Sequence, residues 1–233
     1  MPKSTFFNLP DEKRNLILEV AIDEFAGKDY DSASISQIVA RAGIAKGSFY
    51  QYFEDKRDLY FYLVELAAEE KKRFLARHPP PDPEMDLFDY LRWLLRIGMT
   101  FELSQPKLGW VAFRAIYVER PFGDDVLDHV QRRALDYYRS LLQMGVDQGS
   151  VDPEIDMDMA VFIVSRLFAE YGRHLIDREQ LSLDDLERGN AAYRDLDITD
   201  MEEHLISFLE RGLRPYPRTN RLRPDAPGQE PAP

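Results

Sequence analysis

Two short apolar runs stand on either side of one glycine between residues 34 and 56. Ile35, Ile38, Val39 and Ala42 recur at helical spacing before Gly43, and Ile44, Phe49 and Phe53 follow it. Each run is about two turns long, too short to hold a helix in water by itself. The pair must fold onto each other and onto further apolar surface, and Gly43 supplies the tight turn. Ser34 with Gln37 three residues on has the capping-box pattern that opens the first helix. The second spans 45–52, and its remaining side chains Ala45, Lys46, Ser48, Tyr50, Gln51 and Tyr52 stay on the outer face.

Helical periodicity continues on both sides of this pair. Pro10-Asp11-Glu12 starts a helix whose buried face is Ile17, Val20, Ala21 and Phe25, closed by Gly27. Asp55 caps a fourth helix through Leu59, Leu63 and Leu66 to residue 77, where Pro79-Pro80-Pro81-Asp82-Pro83 forbids continuation. Further helical stretches span 85–103, 107–118, 124–148, 157–177 and 199–213. The segment 180–198 reads as a polar loop with a short helix near 183–188, and the Pro- and Arg-rich end as disordered. No stretch alternates with period two, so the fold class is all-α. The expected division is an N-terminal three-helix helix-turn-helix unit over 1–57, joined by the long fourth helix to a larger helical domain over 58–213, then a tail over 214–233.

There is no cysteine in the 233 residues, which removes disulfides, thiolate metal sites and cysteine nucleophiles. The histidines His78, His129, His174 and His204 follow Leu75, Val126, Tyr171 and Met201 at three residues, so no Glu-x-x-His pair exists. No His-Glu-x-x-His, phosphate-binding loop or Gly-x-Ser-x-Gly occurs either. An enzyme is therefore not expected, and no cofactor or metal. No run is long and apolar enough for a membrane span and no signal peptide opens the chain, so the expectation is a cytoplasmic protein without membrane contact.

The net charge of −12 is unevenly placed: residues 1–57 hold eight basic and nine acidic side chains, leaving −11 to the rest. Over 36–57, Arg41, Lys46, Lys56 and Arg57 face only Glu54 and Asp55. A small basic face on an acidic protein suits docking to one site on DNA better than coating it. A helix-turn-helix lays the outer face of its second helix in a major groove about 12 Å wide.

The run Ile38-Val39-Ala40-Arg41-Ala42-Gly43-Ile44-Ala45-Lys46-Gly47-Ser48-Phe49-Tyr50-Gln51-Tyr52-Phe53, followed by Asp55-Lys56, resembles the DNA-binding domain of the TetR/AcrR family of bacterial transcriptional regulators, over about 8–63. The resemblance implies double-stranded operator DNA as partner. It places Lys46 and Gly47 at the groove floor, Ala45 and Gln51 near bases, and Tyr50 and Tyr52 on phosphates and thymine methyls. Ser34, Ser36 and Lys56 fall at phosphate positions, and Ser48 lies on the same face. Alanine at 45 departs from the Ser or Thr often found there, which moves the expected readout toward Gln51, Lys46 and the tyrosines.

A single small unit of this kind makes few base contacts, so a homodimer reading two half-sites is expected. Ala160, Ile163, Val164, Leu167, Phe168 and Tyr171 on one helix, and Leu205, Ile206, Phe208 and Leu209 on the last, are the candidate dimer interface, paired as a four-helix bundle in relatives. The resemblance further implies a cavity for a small apolar or aromatic effector. Its candidate lining is Trp93, Arg96, Met99, Trp110, Phe113, Arg114, Tyr117, Tyr137, Tyr138 and Met144. The reading is a ligand-responsive transcriptional regulator, most often a repressor in this family, in which effector binding swings the fourth helix about the proline linker. The competing readings are a helical-bundle enzyme and a scaffold without regulated DNA binding.

Overall fold

The computed structural model describes residues 1–119, 121, 124–182 and 199–215, which are helical with no strand. The N-terminal part holds α1 (Ser4–Phe7), α2 (Asp11–Gly27), α3 (Ile35–Arg41), α4 (Lys46–Tyr52) and the long α5 (Lys56–Arg77). The body holds α6 (Leu87–Ser104), α7 (Pro106–Phe113), α8 (Asp124–Asp147), α9 (Met157–Arg178) and α10 (Thr199–Leu213). α7 runs on as a π-helical turn, Arg114–Glu119. The short helix expected over 183–188 and the tail from residue 216 lie outside the described residues.

The helix ends follow their chemistry. Asp55, Asp86 and Asp156 sit before α5, α6 and α9, and each carboxylate accepts from the N–H three residues on, at 2.8, 2.9 and 3.0 Å. After α3, Gly43 takes φ +63°, with Gly43 N–H donating to Ala40 O and Ile44 N–H to Val39 O. That pair of bonds is the Schellman closure, and it needs the left-handed residue that glycine provides. The capping box at Ser34 does not form: its side chain caps nothing. Its N–H instead donates to Glu24 Oε1 at 3.0 Å, an oxygen of a carboxylate buried near the end of α2 that also holds Lys28.

Two apolar cores result. The first joins Phe6, Ile17, Phe25, Ile38, Phe49, Phe53, Leu59, Tyr60 and Leu63, and draws in Val111 and Ala115 from the α7 segment. The helix-turn-helix core therefore extends past residue 57 and is closed by a piece of the body. The second joins Leu87, Leu91 and Leu95 of α6 with Leu142, Val161, Val164, Leu175, Ile206 and Leu209. α8 approaches α6 closely at Gly145, where a Cβ would fall 2.5 Å from Leu87 Cδ2 and 2.6 Å from Val151 Cγ2.

Four of the candidate dimer residues, Ala160, Val164, Ile206 and Leu209, are 0–4% exposed inside this second core, and Tyr171 is 6% exposed. They pack within one subunit, which corrects their assignment to a partner surface. The stripes are wide because their inner edge serves the subunit's own core. The free edge is Met159, Phe162, Ile163 and Phe208, at 53, 57, 39 and 68% exposure, with Leu167, Phe168 and Leu205 half-buried beside it. Met159 and Phe162 were not anticipated.

Candidate nucleic-acid interface

α4 is fixed from beneath by Phe49 and Phe53, both fully buried, so its opposite side faces out. On that side Ala45, Lys46, Gly47 and Gln51 are exposed, Tyr50 is 47% exposed and Ser48 is half-buried; Ser36 is exposed on α3 and Ser34 half-buried before it. The Lys46 side chain makes no hydrogen bond or ion pair among the described residues. A Cβ built at Gly47 meets nothing within 4 Å. Close helix packing therefore does not explain this glycine, and what it leaves is an open backbone that another surface can approach.

Two candidates turn away from this face. Tyr52 is only 7% exposed, with its ring 6.2 Å from Phe6, because α1 covers the side of α4 on which it lies. Its expected outward position is corrected to a core contact. Lys56 points into the loop between α2 and α3, where its ammonium donates to Tyr30 O at 2.7 Å and to Asp31 O and Ala33 O at 3.1 Å, above the Tyr30 ring. Three loop carbonyls converge there, and Lys56 satisfies them. It is corrected from a phosphate lysine to an internal tie. Arg41 is also engaged, at 2.6 Å from Asp23. The basic face is thus smaller than the count of charges suggests, and Lys46 is a cation on it whose side chain has no hydrogen bond or ion pair among the described residues.

The body grips this unit through polar bonds. Lys107 of α7 donates to Asp23 Oδ1 at 2.9 Å, opposite Arg41 on the other oxygen. Partial burial acts to raise the Asp23 carboxyl, but hydrogen bonds from Lys107 and Arg41 outweigh it and hold the group below its ordinary value. Arg114, a candidate ligand residue, instead donates to Phe25 O at 3.3 Å and Ala26 O at 3.5 Å and pairs with Glu119. Glu119 Oε2 accepts from Tyr30 N–H at 3.2 Å and Tyr60 OH at 3.1 Å. Burial, and then the neighbouring carboxylate, push the Tyr60 hydroxyl well above its ordinary pKa. Arg114 is corrected from a ligand contact to a tie on the last carbonyls of α2.

The other candidate ligand residues divide. Trp110, Phe113 and Tyr117 form one aromatic column, with ring centroids 5.8 and 5.4 Å apart. Two arginines of α9 lie over it: Arg173 at 4.8 Å from Trp110 and Arg166 at 5.0 Å from Tyr117. Tyr138 packs edge-on to Phe168 of α9, while Tyr137 meets the Tyr90 hydroxyl at 2.9 Å beside Trp93. Met99 is buried in the second core and Met144 half-buried against it. Arg96 is corrected from a ligand contact: it reaches across to Glu202 Oε2 of α10 at 3.0 Å. Arg166 and Arg173 were missed, although their separation of seven residues marks one helical face.

An all-α chain with an exposed α4 face, joined through a clamped seam to a helical body, has the build of a helix-turn-helix DNA-binding regulator. Residues 17–63 match the family model of bacterial regulatory proteins, tetR family, and residues 85–214 match the tetracyclin repressor-like C-terminal domain. The crystal structure of a TetR family transcriptional regulator from Chloroflexus aurantiacus J-10-fl is 42% identical, covers 93% of this chain and 100% of that one, and superposes with a TM-score of 0.80. The probable acrEF/envCD operon repressor of Escherichia coli K12 is 26% identical over 161 residues, 67% of this chain and 72% of that one. The transcriptional regulator FadR from Bacillus subtilis, solved with stearoyl-CoA, is 14% identical over 86% of this chain and 99% of that one, at TM-score 0.60, a likeness of fold. The chain belongs to the TetR family, and it is a ligand-responsive DNA-binding transcriptional regulator. Among the described residues no helix is long and apolar enough to cross a membrane.

Proposed function

We propose that the protein is a homodimeric repressor that reads operator DNA with Ser34, Ser36, Ala45, Lys46, Gly47, Ser48, Tyr50 and Gln51. In this reading it is released when a small aromatic or apolar effector with an acidic group binds the body. The observation that carries the DNA reading is the exposed row Lys46, Gly47, Tyr50 and Gln51 over a fully buried Phe49 and Phe53. Lys46 and the backbone at Gly47 serve phosphates, and Gln51 and Tyr50 serve base edges and methyl groups. Dimerisation is supported by the free apolar edge Met159, Phe162, Ile163 and Phe208, a patch of the kind that marks partner surfaces. Two copies would set their recognition helices about 34 Å apart for successive turns of one DNA face.

The effector class rests on the aromatic column and its arginines. Arg166 makes no ion pair among the described residues, so its cation beside Tyr117 is available to a carboxylate. The same column continues into the π-helical turn that carries Arg114 and Glu119 onto α2 and α5. An effector that repacks the column would move those ties, and the shift in operator affinity would equal its preference between the two packings. The test is operator binding at fixed salt, using DNA upstream of the protein's own coding region. Wild type should shift it, and the double substitution Lys46→Ala with Tyr50→Ala should abolish the shift; retained binding by that variant removes the assigned face.

A further inference from the structure

The last turn of α4 has no capping residue of its own: Phe53 follows in extended conformation and the turn holds no basic side chain. Its four terminal carbonyls need partners from elsewhere. Phe49 O accepts from Phe53 N–H at 2.9 Å. The other three accept from a segment more than forty residues away in sequence. Tyr50 O accepts from Lys3 Nζ at 2.8 Å, Gln51 O from Thr5 Oγ1, and Tyr52 O from Lys3 N–H at 2.8 Å. Phe6 drives this segment in: it is fully buried, 4.8 Å from the Phe53 ring and edge-on to Tyr62 at 5.8 Å. Arg14 of α2 holds the far end by donating to Phe7 O and Leu9 O at 3.2 and 3.4 Å.

We propose that residues 3–9 are a positioning clamp for the recognition helix, with Lys3 and Thr5 acting through the carbonyls of Tyr50, Gln51 and Tyr52 rather than on DNA. The proposal rests on the DNA reading of α4 given above. A seven-residue helix is marginal alone, so its register in the groove is set by what holds its ends. Gly43 and Ile44 fix the entry. The clamp fixes the exit, at the backbone of Tyr50 and Gln51, whose side chains face the bases in that reading, and of the inward-facing Tyr52. Lys3 also places a positive charge against the negative end of the α4 dipole, and Phe6 keeps Tyr52 from the outer face.

The experiment compares full-length wild type with Thr5→Val, Thr5→Ser, Lys3→Met and Lys3→Arg. Amide hydrogen exchange over 46–53 is followed without DNA, and operator affinity is measured across a salt series. Thr5→Val and Lys3→Met should each speed exchange in α4 relative to the body helices and weaken operator binding about fivefold, the scale of one lost hydrogen bond. Thr5→Ser and Lys3→Arg should restore both. Thr5→Val carries no charge change, so its slope of log affinity against log salt should match wild type. The clamp is overturned if exchange and affinity in the Val and Met variants equal wild type. It is also overturned if Lys3→Met lowers the salt slope by about one contact with α4 exchange unchanged, which makes Lys3 a phosphate contact. Wild type that binds no operator overturns the DNA reading beneath the proposal, whereas wild type that binds no better than the variants overturns the clamp alone.

Discussion

Lys107 on α7 and Asp23 on α2 meet at 2.9 Å, across the boundary between the DNA-reading unit and the body. The other Asp23 oxygen holds Arg41 at 2.6 Å, at the end of α3, so one carboxylate ties the body to the helix that precedes the turn. Its depressed pKa makes this tie sensitive to acid. The folded value lies below the ordinary 3.8, so the unfolded chain takes up the proton first. The stabilisation is complete above about pH 4 and is lost as pH falls through the folded value. Asp23→Asn should therefore be less stable than wild type by about 1 kcal/mol at pH 6, with the gap closing toward pH 3. Thermal unfolding of both proteins at each pH measures it, and a gap that stays constant removes the linkage.

Gly47 separates binding from stability. With nothing within 4 Å of a built Cβ, Gly47→Ala should fold as well as wild type and gain roughly 0.5–1 kcal/mol from helix propensity. In the proposed DNA reading the same methyl stands where DNA comes close, and operator affinity should fall about tenfold or more. Calorimetry and a binding isotherm on one preparation give both numbers. Equal affinity would assign Gly47 to folding alone.

What was legible in the sequence was local. The apolar stripes before and after Gly43, its positive φ and the Asp55 cap are set within a few residues of chain, and the helices stand where that periodicity puts them. What escaped was decided by distant chain. Tyr52 faces inward because α1 covers it, and α1 itself is four residues held by the burial of Phe6 and bonds to α4. Lys56 turns to loop carbonyls that no spacing could indicate. Arg96 finds Glu202, and Arg114 the carbonyls of Phe25 and Ala26, through tertiary packing. A stripe such as Ala160, Ile163 and Val164 shows which side is apolar, yet not where the subunit's own core ends and free surface begins.

That edge is testable in solution. Phe162 and Phe208 are 57 and 68% exposed, so Phe162→Glu with Phe208→Glu should leave the subunit's core intact and yield monomers by sedimentation velocity. Operator affinity should then fall because two half-sites no longer bind together. Ile206→Ala, one helix face away and fully buried, should instead cost about 2–4 kcal/mol of stability from the cavity it leaves. A charged double variant that stays dimeric places the partner surface elsewhere.

Glu202 has the opposite sign to Asp23. It is fully buried on α10, and one oxygen is held by Arg96 while Oε1 has no hydrogen-bond partner among the described residues; the Tyr171 hydroxyl nearby on α9 has none among them either. Burial raises the Glu202 pKa above its ordinary 4.5, and the Arg96 bonds offset only part of that. The folded protein therefore holds this proton more tightly than the unfolded chain. Its contribution is greatest below about pH 4.5 and is lost as pH rises through the folded value. Glu202→Gln keeps the shape and carries no charge, so it should match wild type near pH 4 and exceed it at pH 7. Removing Arg96 instead, as Arg96→Met, should destabilise at pH 7 by leaving the buried charge without its partner. Unfolding midpoints across pH 4–8 distinguish the cases: a Gln variant less stable than wild type at pH 7 would mean that the charged pair is a net gain to the fold.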